Sequence, residues 1–163
     1  MAKVSSEPPD RKPNRIEKKN YSFNGAYFLT VCTKERHCLL GQIHDGAMAL
    51  TEIGAFAAGE LSKLENIYPS IILDSFVVMP NHVHLVVMLL SERHNPSVQR
   101  IMQQWKGVVS KKAGFPLWQD RFYDRIIYSV AAYRKIRQYI ANNPARWKED
   151  CFYEPEAPLA QSL

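Results

Sequence analysis

Two histidines set around one valine, His82 and His84 in MPNHVHLVVMLL, are the residues of this chain best spaced for metal chemistry. Side chains at every second position of a strand share a face. The two imidazoles therefore point the same way as Val86, Met88 and Leu90, while Val83, Leu85, Val87 and Leu89 point the other way. Apolar residues on both faces imply a central, covered strand. Imidazoles covered in this way need partners, since an unpaired buried polar group costs roughly 1–3 kcal/mol. A shared divalent cation is one such partner; ordinary hydrogen bonding is the other. Two ligands leave a metal site incomplete, and nothing in the spacing of His37, His44 or His94 recommends them as the third.

A second group of residues lies near the end of the chain, in AAYRKIRQYIANNP. Its apolar stripe of Ala132, Tyr133, Ile136 and Ile140 has helical period. Tyr139 and Asn143 are four residues apart and share a face at the margin of that stripe. The Asn143 amide oxygen could complete a metal site while the Tyr139 phenol reaches the same point. Arg134, Lys135 and Arg137 would then hold a phosphate backbone across the helix. The same residues suit half-buried packing by the tyrosine and a plain helix stop at Asn143 before Pro144.

The elements that must position these groups can be read from periodicity and punctuation. GAYFLTVCT (25–33) reads as a first strand. Residues 39–50 suit a short strand pair turning at Asp45-Gly46, and Thr51 caps a helix that runs to Pro69. Strands follow at 71–79 and 82–90. A second helix opens at Asn95-Pro96 and runs to Ala113-Gly114, RFYDRIIYS (121–129) is a last strand, and a final helix spans about 130–143. The order β, α, β, β, α, β and then a helix predicts an α+β, ferredoxin-like fold: an antiparallel sheet with helices on one face, plus a C-terminal helix carrying the tyrosine. Residues 1–20 read as a basic, flexible arm, 21–147 as the domain and 148–163 as an irregular tail.

Composition narrows the partners. Hydrophobic residues make up 46% and charged residues 23%, which fits a globular protein. VHLVVMLL is too short to cross a bilayer, and no charged-then-apolar leader opens the chain. Cys32, Cys38 and Cys151 form no CxxC pair, so a reducing, cytoplasmic setting is expected. The net charge is only +5, but it is segregated. Arg100, Lys106, Lys111 and Lys112 occupy one stretch without an acid, and Arg134, Lys135, Arg137, Arg146 and Lys148 another. Such segregation suits a polyanion, although two solvated helix faces would give the same pattern.

Taken together, MPNHVHLVV, LWQDRFYDRIIYS (117–129) and RQYIANNPARW (137–147) resemble the REP-associated tyrosine transposases, a bacterial branch of the single-tyrosine HUH transposases. The likeness runs from about Gly25 to Trp147. It implies a ferredoxin-like fold, His82 and His84 as ligands of Mg²⁺ or Mn²⁺, and Tyr139 as nucleophile. Asn143 matches the position of a third ligand, where related enzymes often carry a glutamine, one methylene longer. The implied partner is single-stranded or hairpin DNA, with no nucleotide cofactor and no membrane, and the protein is expected to act as a monomer. The implied reaction is transesterification through a 5′-phosphotyrosine. Two other readings are a domesticated protein that binds hairpins without cutting them, and an unrelated hydrolase in which the histidine pair activates water.

Under this reading the arm (Arg11, Lys12, Arg15, Lys18 and Lys19) and the stretch 100–112 grip the hairpin, while Trp105 and Trp118 are candidates either for base stacking or for the core. Deletion of residues 1–20 is expected to weaken hairpin binding and to flatten its salt dependence. Binding isotherms at several salt concentrations check this; unchanged affinity and slope would remove the arm from the interface.

Overall fold

The computed structural model describes residues 25–90 and 96–155. The basic arm with Arg11, Lys12 and Arg15, the histidine at 94, and residues 156–163 lie outside the described residues.

Four strands form an antiparallel sheet: β1 (Gly25–Cys32), β4 (Ile71–Val78), β5 (His82–Leu89) and β6 (Tyr123–Ile127), in the order β4-β5-β1-β6. Between β1 and β4 the chain makes the hairpin β2 (Gly41–His44) and β3 (Ala47–Leu50), then α1 (Glu52–Ser62) and α2 (Leu64–Ile67). The helix α3 (Val98–Ala113) joins β5 to β6, and α4 (Val130–Asn142) follows β6. This is the expected ferredoxin-like order, with the histidine strand in the sheet interior. The hairpin turns at Asp45 and Gly46, both with positive φ (50° and 75°), a conformation favoured by Asp-Gly.

Helix boundaries follow hydroxyl caps. Thr51 accepts from the Gly54 amide (3.1 Å), Ser97 from Arg100 (3.1 Å) and Ser129 from Ala132 (3.1 Å). The second helix thus starts at Ser97 rather than at Asn95-Pro96, because the serine hydroxyl can satisfy a free amide and a proline cannot. It ends at Gly114, whose φ of 84° is the left-handed conformation of a helix C-terminus. The helix expected to reach Pro69 is interrupted at Lys63 and continues as the single turn α2.

The sheet has two covered faces. On one, Leu29, Val31, Val83, Leu85 and Val87 pack against α1 and α3 in a large core that includes Leu61, Ile101, Met102 and Trp105. The Trp105 indole donates to the Ala57 carbonyl (3.1 Å), tying the two helices together, and its ring lies 4.8 Å from that of Trp118. Both tryptophans are buried, so they belong to the core and not to a stacking surface. On the other face a small cluster of Phe28, Val86, Ile136 and Ile140 seats α4. The last helix therefore lies on the opposite side of the sheet from the other two, the side to which His82 and His84 point.

The α1 helix approaches the loop before β2 so closely that a Cβ on Gly54 would stand 1.9 Å from the Leu40 carbonyl oxygen. Gly54→Ala is expected to destabilise the fold by about 2–3 kcal/mol. Gly59→Ala in the same helix, with nothing within 4 Å of its Cβ position, should instead stabilise it by about 0.5–1 kcal/mol. Urea denaturation of both variants makes the comparison.

Candidate active site

His82 and His84 are 0% and 1% exposed, with ring centroids 4.6 Å apart. Each ring has one nitrogen engaged with the protein behind it. His82 Nδ1 lies 2.8 Å from Asn81 Oδ1, and His84 Nδ1 lies 2.7 Å from Thr30 Oγ1, on the neighbouring strand directly opposite. The Asn81 amide has a single consistent orientation, since its Nδ2 donates to the carbonyls of Arg36 (3.1 Å) and Phe152 (2.7 Å). Its oxygen must then accept from His82 Nδ1–H, which leaves the lone pair on Nε2. Fixing a ligand's tautomer through its far nitrogen is how metal-binding histidines are commonly oriented.

His82 Nε2 is buried without a hydrogen-bond partner and lies 3.6 Å from Asp150 Oδ2. The Asp150 carboxylate is itself shielded from solvent, and His82, His84 and Asp150 bring donor atoms within 4.8 Å of one another. Asn143 is also here, 3% exposed: its Nδ2 donates to Asp150 Oδ2 (3.0 Å), and its Oδ1 is buried with no partner. A buried carboxylate beside two neutral imidazoles and an unsatisfied amide oxygen is a donor set that fits a divalent cation. The third donor expected at Asn143 thus has a stronger competitor in Asp150, which Asn143 holds in place.

Tyr139 completes the group. It is 39% exposed, and its hydroxyl stands 3.5 Å from His84 Nε2. Phe28 stacks on His84 (5.2 Å between centroids) and meets the Tyr139 ring edge-on (6.3 Å). The helix carrying the tyrosine is fastened to the edge strand at a bulge between Leu73 and Ser75. The extra residue there, Asp74, accepts from the Tyr133 hydroxyl (2.6 Å) and lies 3.6 Å from Arg137 Nε.

Asp150 and Asn81 were not anticipated from sequence as site residues. After Asn143 the chain does not stop at Pro144. It makes a 3₁₀ turn over Pro144–Glu149, buries Trp147, and returns Asp150 and Phe152 to the histidines. The signal available was faint: an aspartate between Trp147 and Phe152 in an acid-containing tail.

The expected DNA-binding cations separate into two groups. Helix α3 packs on the face away from the histidines, so Arg100, Lys106, Lys111 and Lys112 do not border the site. Lys106 is occupied with the carbonyls of Gln119 (2.6 Å) and Asp120 (3.3 Å), and Lys112 lies 3.6 Å from Glu52. Arg134, Lys135 and Arg137 are on the site's own helix and exposed. Arg134 and Arg137 line a groove of about 630 Å³ between β4 and α4 that includes none of the histidines and not Tyr139.

The chain can now be compared with known proteins. No family profile matches it. An uncharacterized protein of Haemophilus influenzae is 28% identical over 167 residues, covering 88% of this chain and 93% of that one. The solved structure of the REP-associated tyrosine transposase bound to a REP hairpin superimposes with a TM-score of 0.63 at 24% identity, over 80% of this chain and 73% of that one. The fold is that of the REP-associated tyrosine transposase. A structure from Deinococcus radiodurans overlaps more loosely, with a TM-score of 0.49 at 22% identity over 74% of this chain and 91% of that one. Among the described residues, no helix is long and apolar enough to cross a membrane.

Burial sets the protonation of the site. It holds His84 down to about 3, and lowers His82 well below its ordinary 6.5 with the help of the neighbouring His84. Both imidazoles are therefore neutral and ready to act as ligands at neutral pH. Burial also raises Asp150, and it raises Tyr139 above the usual phenol value, reinforced by the charge of Asp150. In the unfolded chain the histidines protonate near 6.5, whereas in the folded chain they resist. Metal-free stability should thus fall as pH drops from 6.5 towards 3, by at most about 1.4 kcal/mol per pH unit for each histidine. Asp150, which takes up its proton at higher pH folded than unfolded, offsets part of that loss. Urea midpoints measured in chelator from pH 7.5 to 4.5 test this, and His84→Gln is expected to flatten the slope.

Proposed function

We propose that this protein is a member of the single-tyrosine HUH transposases that cuts and rejoins single-stranded DNA at hairpin sequences, with Tyr139 as nucleophile. The observation that carries the reading is the approach of the Tyr139 hydroxyl to within 3.5 Å of His84 Nε2, above a buried donor set of His82, His84 and Asp150. The fold shared with the REP-associated tyrosine transposase supports it. Mg²⁺ or Mn²⁺ would be held by His82 Nε2, His84 Nε2 and the Asp150 carboxylate, with Asn143 Oδ1 as a further donor. When bound, the cation would neutralise phosphate charge and ease formation of the phenolate beside Asp150.

The chain's own residues supply the rest. The Tyr139 oxygen attacks the scissile phosphorus as its hydroxyl proton passes to solvent, which returns one to the departing 3′ oxygen. The bond from phosphorus to the 3′ oxygen breaks, giving a 5′-phosphotyrosine and a free 3′-hydroxyl. The bond energy stays in the phosphotyrosine ester, so the reverse attack reseals a strand without a nucleotide cofactor. Phe28 and the seating of Ile136 and Ile140 keep the phenol above His84, while Thr30 and Asn81 hold the imidazoles. Arg134 and Lys135, exposed on the same helix, are placed to take backbone phosphates; Arg137 also steadies Asp74. The cations of α3 would serve contacts remote from the cut. In this scheme one copy of the chain carries every residue named.

Incubation with a labelled hairpin oligonucleotide and Mn²⁺ or Mg²⁺ should yield a protein–DNA adduct that survives denaturation. Tyr139→Phe or chelator should reduce it below detection, and Asp150→Asn should reduce it by about 10–100-fold. Tight hairpin binding with no adduct under either metal would replace this reading with a binding protein that does not cut. Hydrolysis unaffected by Tyr139→Phe would replace it with a water-activating hydrolase.

A further inference from the structure

The outer strand of the sheet carries two groups on the histidine face that the scheme above leaves unused. In the register of β1 with β6, Tyr123 lies opposite Thr30 and Arg125 opposite Phe28. Thr30 is the residue bonded to His84 Nδ1, and Phe28 the one stacked on the His84 ring. Tyr123 and Arg125 therefore continue, onto the edge strand, the rows of side chains that contain the site. Asp124 and Ile126 point to the other face, Ile126 into the large core.

Both groups are open to solvent. Tyr123 is 46% exposed, with its ring 6.2 Å from that of Phe152. The two rings are inclined at 46°, and much of Tyr123 is left to solvent. The Arg125 side chain is exposed and has no hydrogen bond or ion pair among the described residues. Phe152 is also met by Arg36, whose guanidinium carbon lies 5.2 Å from the ring centroid and which has no acidic partner among the described residues. Its backbone is held in an unusual conformation. Glu35 and Arg36 have consecutive positive φ values (54° and 57°), and the Arg36 carbonyl accepts from the same Asn81 amide that fixes His82. Strain of this kind persists where surrounding contacts impose it; here they fix Arg36 beside the ring that covers the histidines.

We infer that the rim formed by Arg36, Tyr123 and Arg125 receives the unpaired strand of the DNA substrate, a base stacking on Tyr123 and phosphates meeting Arg36 and Arg125. The occupant follows from chemistry: an exposed aromatic ring together with two guanidinium groups that have no acidic partner among the described residues matches the bases and phosphates of single-stranded nucleic acid. A duplex, with its bases stacked inside, would leave Tyr123 unused. This inference rests on the proposed function, since it places the strand that Tyr139 would cut.

The experiment uses the full chain and two labelled hairpin oligonucleotides, one blunt and one with a short unpaired flank. Affinities are read by fluorescence anisotropy at several salt concentrations. The wild-type protein should prefer the flanked hairpin. Tyr123→Ala should weaken flanked-hairpin binding about tenfold, while Tyr123→Phe, which keeps the ring, retains it. Arg125→Ala should lower the salt slope by about 0.7 for the flanked hairpin only, and Arg125→Lys should preserve it. Blunt-hairpin affinity and melting temperature should not change in any of these variants. No preference for the flank, or variants that bind both hairpins as the wild type does, would overturn the inference. Self-association of Arg125→Ala with unaltered DNA binding would also overturn it, and would mark the arginine as a guard of the sheet edge. Failure of the cleavage reading is separate: it shows as wild-type protein that prefers the flank yet forms no adduct.

Discussion

His82 and His84 stand side by side on an interior strand, away from water, and neither can be charged there at little cost. Burial drives both to the neutral form, and each neutral ring then has one donor and one acceptor nitrogen to satisfy. Much of the architecture on that side of the sheet answers this requirement. Thr30, from the adjacent strand, takes the far nitrogen of one ring. Asn81, just before the strand begins, takes that of the other, and with its remaining amide hydrogens ties down the turn at Arg36 and the chain at Phe152. The two near nitrogens are left facing Asp150 and Tyr139.

The division of the sheet into two faces explains how one small fold accommodates a demanding polar site. The face toward α1 and α3 holds the extensive apolar core, Trp105 and Trp118 among it, and supplies most of the burial that stabilises the fold. The opposite face is covered by α4, whose Ile136 and Ile140 meet Phe28 and Val86 of the sheet, and by the turn that brings Trp147 and Phe152 to His82. Polar groups are concentrated there, where the apolar cluster is small, and the helix is held partly by hydrogen bonding from Tyr133 to Asp74 at the bulge of β4.

A good part of this could be read from the residue pattern. Apolar side chains on both faces of HVHLVVMLL announced an interior strand with covered histidines, and Thr51 marked the start of the first helix, whereas the caps at Ser97 and Ser129 went unread. Tyr139 and Asn143, four apart on one helix face, do meet at the histidines. What the pattern could not convey depended on contacts distant in sequence. Periodicity gives a helix its apolar stripe but not the side of the sheet on which that stripe lands, so the cations of α3 and α4 looked alike. Asp150 was hidden for a similar reason. The 3₁₀ turn after Pro144 has no periodic signature, and only the burial of Trp147 and Phe152 brings the carboxylate back.

That return has a consequence for how the protein can change. Most of the side chains that hold the fold together belong to residues before Asn143, whereas one of the three metal-competent donors lies beyond it, in a turn anchored by two aromatic side chains. One donor of the site is thus written outside the part of the chain that carries most of the core. Drift in the last turn would remove that donor while the sheet, its core and the exposed arginines remained in place; under the proposed function this is a short route from cutting a nucleic acid to merely holding it.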